Sequence, residues 1–246
     1  MPDYLYGRHA ILEALRAKLQ IEEILIAMGV HTRGALDELM ALAKTANVPV
    51  RGVARGDLDR MARNHQGVIA RIGEYRYAEI ADLLAVAHER GEPVFLLMLD
   101  SVQDPQNFGT LLRTAEAVGV HGIVIAERRA VGVTAAVVKA SAGAVNHLKV
   151  ARVTNLARTI ETLKRENVWI VGIENVPEAK DYSQMDYRMP IALVLGSEGE
   201  GLGRLVREKC DFLVKLPMWG KVGSLNVAVA GSVILYAAKV QRINNG

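Results

Sequence analysis

The sequence predicts an α/β protein in which a small N-terminal α/β module precedes a larger C-terminal unit built on a doubly wound, mostly parallel sheet. Three observations carry this. At 246 residues the chain exceeds the usual size of one hydrophobic core, so two unequal domains are expected. Beyond residue 93 the apolar runs lengthen and lose strict alternation, which is the pattern of strands covered on both faces. Segments of helical periodicity separate those runs, so strands and helices alternate along the chain.

In the first module, residues 9–18 set Ala10, Leu12, Ala14, Leu15 and Ala17 among polar positions, which suits a short amphipathic helix. A strand over 23–28, a helix over 36–46, a strand over 49–53, a short helix over 57–63 and a strand over 68–72 complete it. Residues 73–92 are more polar, carrying Glu74, Arg76, Glu79, Asp82, Glu89 and Arg90, and read as a linker, although 80–87 has a helical pattern. The expected organisation is a first domain over 1–72, a linker over 73–92 and a second domain over 93–246. In the second domain, strands are expected over 94–99, 122–126, 168–173, 191–195 and 212–216. Helices are expected over 108–118, 135–144, 156–166, 202–210 and 227–240.

Composition narrows the function classes. Half the residues are hydrophobic and 23% are charged, as in an ordinary globular protein rather than a disordered one. The formal charge is only +3, so affinity for nucleic acid would have to come from local clustering of Lys and Arg. Arg51, Arg55, Arg60 and Arg63 form one such cluster, but Asp57 and Asp59 interleave with them, and a solvated mixed face is the competing reading. Cys210 is the single cysteine, which excludes an intrachain disulfide, fits a reducing, cytoplasmic setting and suits a place in a helix core. No apolar run approaches the roughly 20 residues that cross a bilayer, and the start MPDYLYGRHA lacks the layout of a secretory signal, so no membrane partner is expected. The six histidines include no pair at three- or four-residue spacing, so no metal is expected either.

In an open parallel sheet, ligands bind beyond the carboxyl ends of the strands, and three of the loops there are unusual. DSVQDPQNFGTLLRTAEAVG, residues 100–119, runs from a strand into a helix beginning near Asn107, with Asn107 as candidate N-cap and Arg113 two turns on. LGSEGEGL, residues 195–202, places three glycines between an apolar strand and a helix, where the backbone can approach a ligand closely. Its spacing is neither GxGxxG nor a P-loop, and Glu198 and Glu200 would repel a polyphosphate, so a neutral or cationic ligand suits it better. KLPMWGKVGSLNVAVAGSVIL, residues 215–235, leads through Gly220 and Gly223 to a long helix that Ser224 or Asn226 can cap. Trp219 in this loop reads as a rim or packing residue ahead of a base-stacking one.

In this order and spacing, the three loops resemble the signature motifs of the SpoU/TrmH RNA 2′-O-ribose methyltransferases, here DPQNFGTLLRTAEAVG, LVLGSEGEGL and LPMWGKVGSLNVAVA. The resemblance runs from about Val94 onward. The first module adds YGRHAILEAL and HQGVIAR, similar to the accessory domain of the RlmB-like branch, which modifies a guanosine in 23S ribosomal RNA. The resemblance implies a SPOUT-like second domain with a deep trefoil knot, a first domain that binds RNA in the manner of a ribosomal protein, and a homodimer with site residues contributed across its interface.

The implied cofactor is S-adenosylmethionine, bent in the knot and held largely by backbone groups at Gly196, Leu216 and Leu225, with Leu195, Gly201 and Met218 completing its site. Asn107, Arg113, Glu198, Ser224 and Asn226 would line the reaction centre. A guanidinium with a pKa above about 12 is a poor base, so Arg113 is expected to orient or activate the hydroxyl and a neighbouring phosphate. The expected partner is structured RNA, ribosomal RNA first and transfer RNA as the alternative. A nucleotide-dependent oxidoreductase would need a dinucleotide fingerprint early in the second domain, which is absent. A pure RNA-binding protein would not need three glycine-bearing loops at one sheet mouth.

Overall fold

The computed structural model describes residues 3–16, 19–30 and 34–243. The first unit runs β1 (Asp3–Tyr6), α1 (Arg8–Arg16), β2 (Ile21–Ala27), α2 (Ala35–Thr45), β3 (Val50–Val53), α3 (Arg55–Met61) and β4 (Val68–Ile72). Its sheet has the order β1-β4-β2-β3, with β4 antiparallel to β1 and β2, and β2 parallel to β3. The period of two in β4 explains its layers: Val68, Ala70 and Ile72 face α1 and α2, whereas Ile69 faces Leu58 of α3. The start of the chain was not expected to be a strand. Its four residues are too few to show alternation, and β1 exists by pairing with β4 more than sixty positions away.

The second unit contains β5 (Phe95–Leu99), α5 (Pro105–Ala117), β6 (Gly122–Ala126), α6 (Ala135–Ala140), β7 (Val150–Val153), α7 (Leu156–Arg165), β8 (Trp169–Ile173), β9 (Lys180–Asp181), β10 (Ile191–Leu195), α8 (Arg204–Glu208), β11 (Phe212–Lys215) and α9 (Val227–Ile243). The seven strands lie in the order β7-β6-β5-β10-β8-β11-β9, and every neighbouring pair is parallel. Every residue of β5 and of β10 is buried, as strands between two helical layers require. One layer packs α5 and α9 on the sheet through Leu111, Leu112, Ile234 and Leu235, and the other packs α7 through Leu156, Ile160 and Leu163. The doubly wound α/β expectation describes this architecture. β7 and β9 were not expected: one is a four-residue edge strand and the other spans two residues.

The stretch read as a linker is structured. Within it lies α4 (Ile80–Arg90), ended by Gly91 at φ 62, and its Leu83 is fully buried in the second unit. Gly122 of β6 makes room for it, since a Cβ there would stand 2.2 Å from Leu83 Cγ. Just before α4, the Ala78 amide donates to the Val150 carbonyl (2.8 Å) and the Val133 amide donates to Tyr77 Oη (2.9 Å). The Arg152 guanidinium lies 4.3 Å from the Tyr77 ring centre. These contacts pack the stretch onto the second unit.

A candidate active site at the sheet mouth

Because all seven strands are parallel, the loops after β5, β8, β10 and β11 open on the same side of the sheet. The last three enclose a cleft of about 520 Å³. Leu195, Gly196, Gly201, Leu216, Met218 and Leu225, the six expected cofactor residues, all line it, and so do Glu198, Ser224 and Asn226. Asn107 reaches its edge through a side-chain bond to Asn226.

Each loop has a local reason for its shape. Residues 197–201 close on themselves, Ser197 and Gly201 exchanging backbone hydrogen bonds of 3.0 and 3.2 Å, with Gly199 and Gly201 at φ 88 and 68. A Cβ on Gly196 would lie 2.1 Å from the Gly201 carbonyl carbon. Gly196 is therefore required by the loop's own closure, before any ligand is considered. Asp100, buried at the end of β5, accepts from the Gly203 amide (2.8 Å) and so ties the first loop to the second. Asn175, after β8, donates to the Gly223 carbonyl (3.0 Å) and ties down the third.

The helix ends differ from expectation in one respect. Asp104, rather than Asn107, is the N-cap of α5: its carboxylate accepts from the Asn107 amide at 2.8 Å, with Pro105 in the first turn. Asn107 thus sits in the first turn of the helix, leaving its side chain free to accept from Asn226 Nδ2 at 2.9 Å. The same Nδ2 donates to Glu198, while Asn226 Oδ1 accepts from the amides of Ala228 and Val229 at 3.0 and 3.2 Å and caps α9. Three residues from three distant loops thus meet at the cleft mouth.

Arg113 does not join them. Six residues beyond Asn107, it emerges about a third of a turn round α5, is exposed and has no hydrogen bond or ion pair among the described residues. Ser224 is likewise exposed and without a side-chain partner there. Trp219 is 91% exposed, which removes the packing reading. Cys210 follows α8 rather than lying within it, and burial against β8 and α7 pushes its thiol pKa up to about 12.

Sequence reasoning missed Glu174, Asn175 and Lys215. Glu174 Oε1 accepts from the Leu202 amide (3.3 Å), and Oε2 lies 3.3 Å from Arg207 Nε, so the residue braces the glycine loop from behind. Lys215 Nζ donates to the Val176 and Pro177 carbonyls at 3.1 and 3.4 Å. The signal for Glu174 was available: it is the first polar residue after a buried parallel strand. Lys215 keeps its charge, but Glu174, Glu198 and Glu200 outnumber it and give the cleft an acidic lining beside its leucine and methionine wall. Such a surface suits a flat apolar group joined to a positive centre. Among the described residues no group of His, Cys, Asp and Glu is placed to hold a metal, and no helix is long and apolar enough to cross a membrane.

Comparison with known proteins places this geometry. Residues 94–236 match the model of the SpoU rRNA methylase family, and residues 4–78 match that of the RNA 2′-O ribose methyltransferase substrate-binding domain. YacO of Bacillus subtilis, named for the TrmH family of tRNA/rRNA methyltransferases, is 48% identical over 235 residues, covering 95% of this chain and 94% of its own. Among solved structures, the SpoU methyltransferase AviRb of Streptomyces viridochromogenes, in complex with AdoMet, superimposes with a TM-score of 0.79 at 24% identity, covering 98% of this chain and 91% of its own. An RNA 2′-O ribose methyltransferase superimposes at 0.71 with 26% identity, covering 98% and 88%.

Proposed function

Because this chain belongs to the SpoU/TrmH family of RNA methyltransferases, we propose that its cleft binds S-adenosylmethionine and that the enzyme methylates the ribose 2′-hydroxyl of a guanosine in 23S ribosomal RNA. The observation that carries the reading is the convergence of three separated motifs on one cleft, with Asn107, Glu198 and Asn226 joined at its mouth.

The residues fit the cofactor. Leu195, Leu216, Met218 and Leu225 offer an apolar wall to its adenine, and the acidic lining suits its sulfonium. When bound, it supplies an electrophilic methyl carbon. The chain's own contribution is to hold the ribose oxygen in line with that carbon, and positioning of this kind is worth several kcal/mol of barrier, up to about 7–11 for the best-oriented reactants. Asn107 and Glu198 present acceptor oxygens at the mouth, held there by Asn226. Within this cluster the Glu198 carboxylate is the group able to accept the proton that the hydroxyl loses. Arg113, permanently charged, orients the hydroxyl and an adjacent phosphate.

Two further expectations belong to the same reading. The C-terminal segment is threaded as a deep trefoil knot in this reading, which is supported by residues of the 216–226 and 197–201 loops lining one cleft and by Asn175 holding Gly223. The working unit is a homodimer: α9 exposes Val229, Val233, Tyr236, Val240 and Ile243 at four- and three-residue spacing, an apolar stripe that a second copy would cover. Sedimentation should give a dimer that Tyr236→Glu dissociates.

Mapping ribose methylation in total RNA from cells with and without the protein tests the activity. Loss of one 23S guanosine methyl group is the expected result. Loss of a transfer RNA methyl group would redirect the substrate, and no loss together with no calorimetric signal for S-adenosylmethionine would defeat the reading.

A further inference from the structure

We propose that a second groove, between the two units, is a subsite for RNA phosphodiester groups that anchors the substrate away from the reaction centre. The proposal rests on the RNA-methylating reading above and adds the place where the strand is held. The groove has a volume of about 550 Å³ and is lined by His9 of α1, Arg63 and Gln66 from the α3–β4 loop, Lys139 of α6, and the exposed Tyr6 and Met61. Its three basic side chains come from three segments, and none has a hydrogen bond or ion pair among the described residues. No acidic residue is among those that line it.

That contrasts with two of the other arginines of the cluster in the first unit, although Arg55 has no ion pair among the described residues. Arg51 is paired with Glu23 and Arg60 with Asp57, so those charges are already compensated. Asp59, the acid nearest in sequence to the groove loop, accepts from His65 Nε2 at 2.8 Å, while His65 Nδ1 accepts from the Gly67 amide. The loop is also built rather than loose. Asn64 and Gln66 sit at φ 60 and 54, a region that Gln rarely adopts, and Gln66 is held there by two bonds of 3.2 Å from Arg8. Uncompensated cations around a fixed concave surface attract a polyanion, and the half-exposed Tyr6 ring adds a face on which a base can stack.

The groove is also coupled to the reaction centre. Lys139 precedes Ala140, whose Cβ would lie 2.3 Å from a Cβ on Gly109, so α6 is pressed against α5 at a point two residues from Asn107. The helix that carries Lys139 to the groove therefore packs on the helix that carries Asn107 to the mouth. A phosphate held by both Arg63 and Lys139 would bridge the two units and fix the strand's register.

The test measures binding of the full-length protein to a 23S rRNA transcript and to a 20-nucleotide polyuridine strand as a function of salt. The Arg63→Ala/Lys139→Ala double variant should bind both on the order of tenfold more weakly and reduce the log–log salt slope by about 0.7 for each phosphate of the single strand that is no longer neutralised. Tyr6→Ala should weaken binding, also by roughly tenfold, without changing the slope. Arg51→Ala/Arg60→Ala, which removes compensated charges, should leave the slope in place. An unchanged slope in the Arg63/Lys139 variant, or an equal drop in the Arg51/Arg60 control, overturns the proposal. Calorimetry with S-adenosylmethionine is read in parallel: a lowered slope in a protein that binds no cofactor would sink the methyltransfer reading and leave the groove standing.

Discussion

Asn226 and Asn107 stand 119 positions apart in the chain and share a hydrogen bond of 2.9 Å that joins the start of α9 to the first turn of α5. The Asn226 side chain divides its roles by atom. Its oxygen caps α9, and its amide nitrogen holds Asn107 and Glu198 at the cleft mouth. Structure and chemistry can therefore be separated by substitution. Asn226→Ala should lose the cap, about 1 kcal/mol, and lower Tm by roughly 2–4 °C in a chain of this size. Asn226→Ser keeps an oxygen for the cap but has no amide donor, so it should melt near the wild type while methyl transfer falls at least tenfold. Equal activity in the serine variant and the wild type would remove the amide from the reaction centre.

The glycines of the second loop should respond unequally. Gly196→Ala places a Cβ against the backbone of Gly201 and Leu202, so the loop must open and cofactor affinity should be lost. Gly199 has nothing within 4 Å of its would-be Cβ, and only its φ of 88 restrains it. Gly199→Asn, which tolerates positive φ better than other side chains, should bind the cofactor within a few-fold of wild type. Calorimetry on the two variants decides this, and similar losses in both would mean that loop closure is not what Gly196 provides.

How far the sequence was legible follows from what each residue depends on. β4, β6 and β10 were readable to the residue because their apolar runs record burial directly, and the three glycine-bearing loops marked the sheet mouth. The contact of Asn107 with Asn226 was not readable from spacing, since it depends on α5 and α9 packing side by side. That packing is set by Gly231, where a Cβ would stand 2.4 Å from Leu195 Cδ1 and 2.6 Å from Leu111 Cδ2. Glu174 and Asn175 escaped notice because the loop after β8 lacks glycines, although an acid directly after a buried strand was itself a signal. α4 was taken for linker because its exposed polar faces outweigh its two buried positions, Leu83 and Ala87.

That helix changes where the chain can be divided. A fragment beginning at residue 92 would lose α4, uncover the surface that Leu83 fills against Gly122, and strip the Ala78 to Val150 hydrogen bond. Losing a buried leucine alone costs about 2–5 kcal/mol. A fragment beginning at residue 74 should melt cooperatively and bind S-adenosylmethionine, whereas one beginning at 92 should aggregate or melt well below it. Indistinguishable melting of the two fragments would return α4 to the status of a linker.

His121 links stability to pH. Its Nδ1 accepts from the Phe95 amide (3.0 Å), so Nε2 carries the proton that it donates to Glu92 (3.0 Å), and the buried ring is held neutral. Burial is the larger influence and lowers the His121 pKa from its ordinary 6.5, with Glu92 opposing. The unfolded chain takes up a proton near 6.5 and the folded one does not, so this contribution is present above that pH and is lost as pH falls through it. His121→Asn keeps an acceptor for the Phe95 amide and cannot titrate. The stability difference between wild type and variant, measured by urea unfolding, should shrink from pH 7.5 to 5.5, and a constant or growing difference would contradict the assignment.

Arg113 poses the last question, because it is expected at the reaction centre yet stands outside the cleft of its own chain, exposed and without a partner among the described residues. Its neighbour Thr114 bonds Ser232 of α9 at 2.8 Å, next to Val233 of the exposed stripe, and we propose that in a dimer built on that stripe Arg113 acts on the cleft of the second copy. Arg113→Ala should leave S-adenosylmethionine affinity nearly intact and lower single-turnover methyl transfer by on the order of a hundredfold. Arg113→Lys should recover little, since an ammonium lacks the planar fork that holds a phosphate and a hydroxyl together. Mixed dimers separate the two geometries. Pairing an Arg113→Ala subunit, whose cofactor cleft is intact, with a Gly196→Ala subunit, whose Arg113 is intact, restores one complete site only if the arginine acts across the interface. Co-refolded mixtures should then regain activity that neither variant has alone. If the mixture stays inactive while each pure variant remains dimeric, Arg113 serves its own chain, whereas wild-type rates in pure Arg113→Ala would remove it from the reaction.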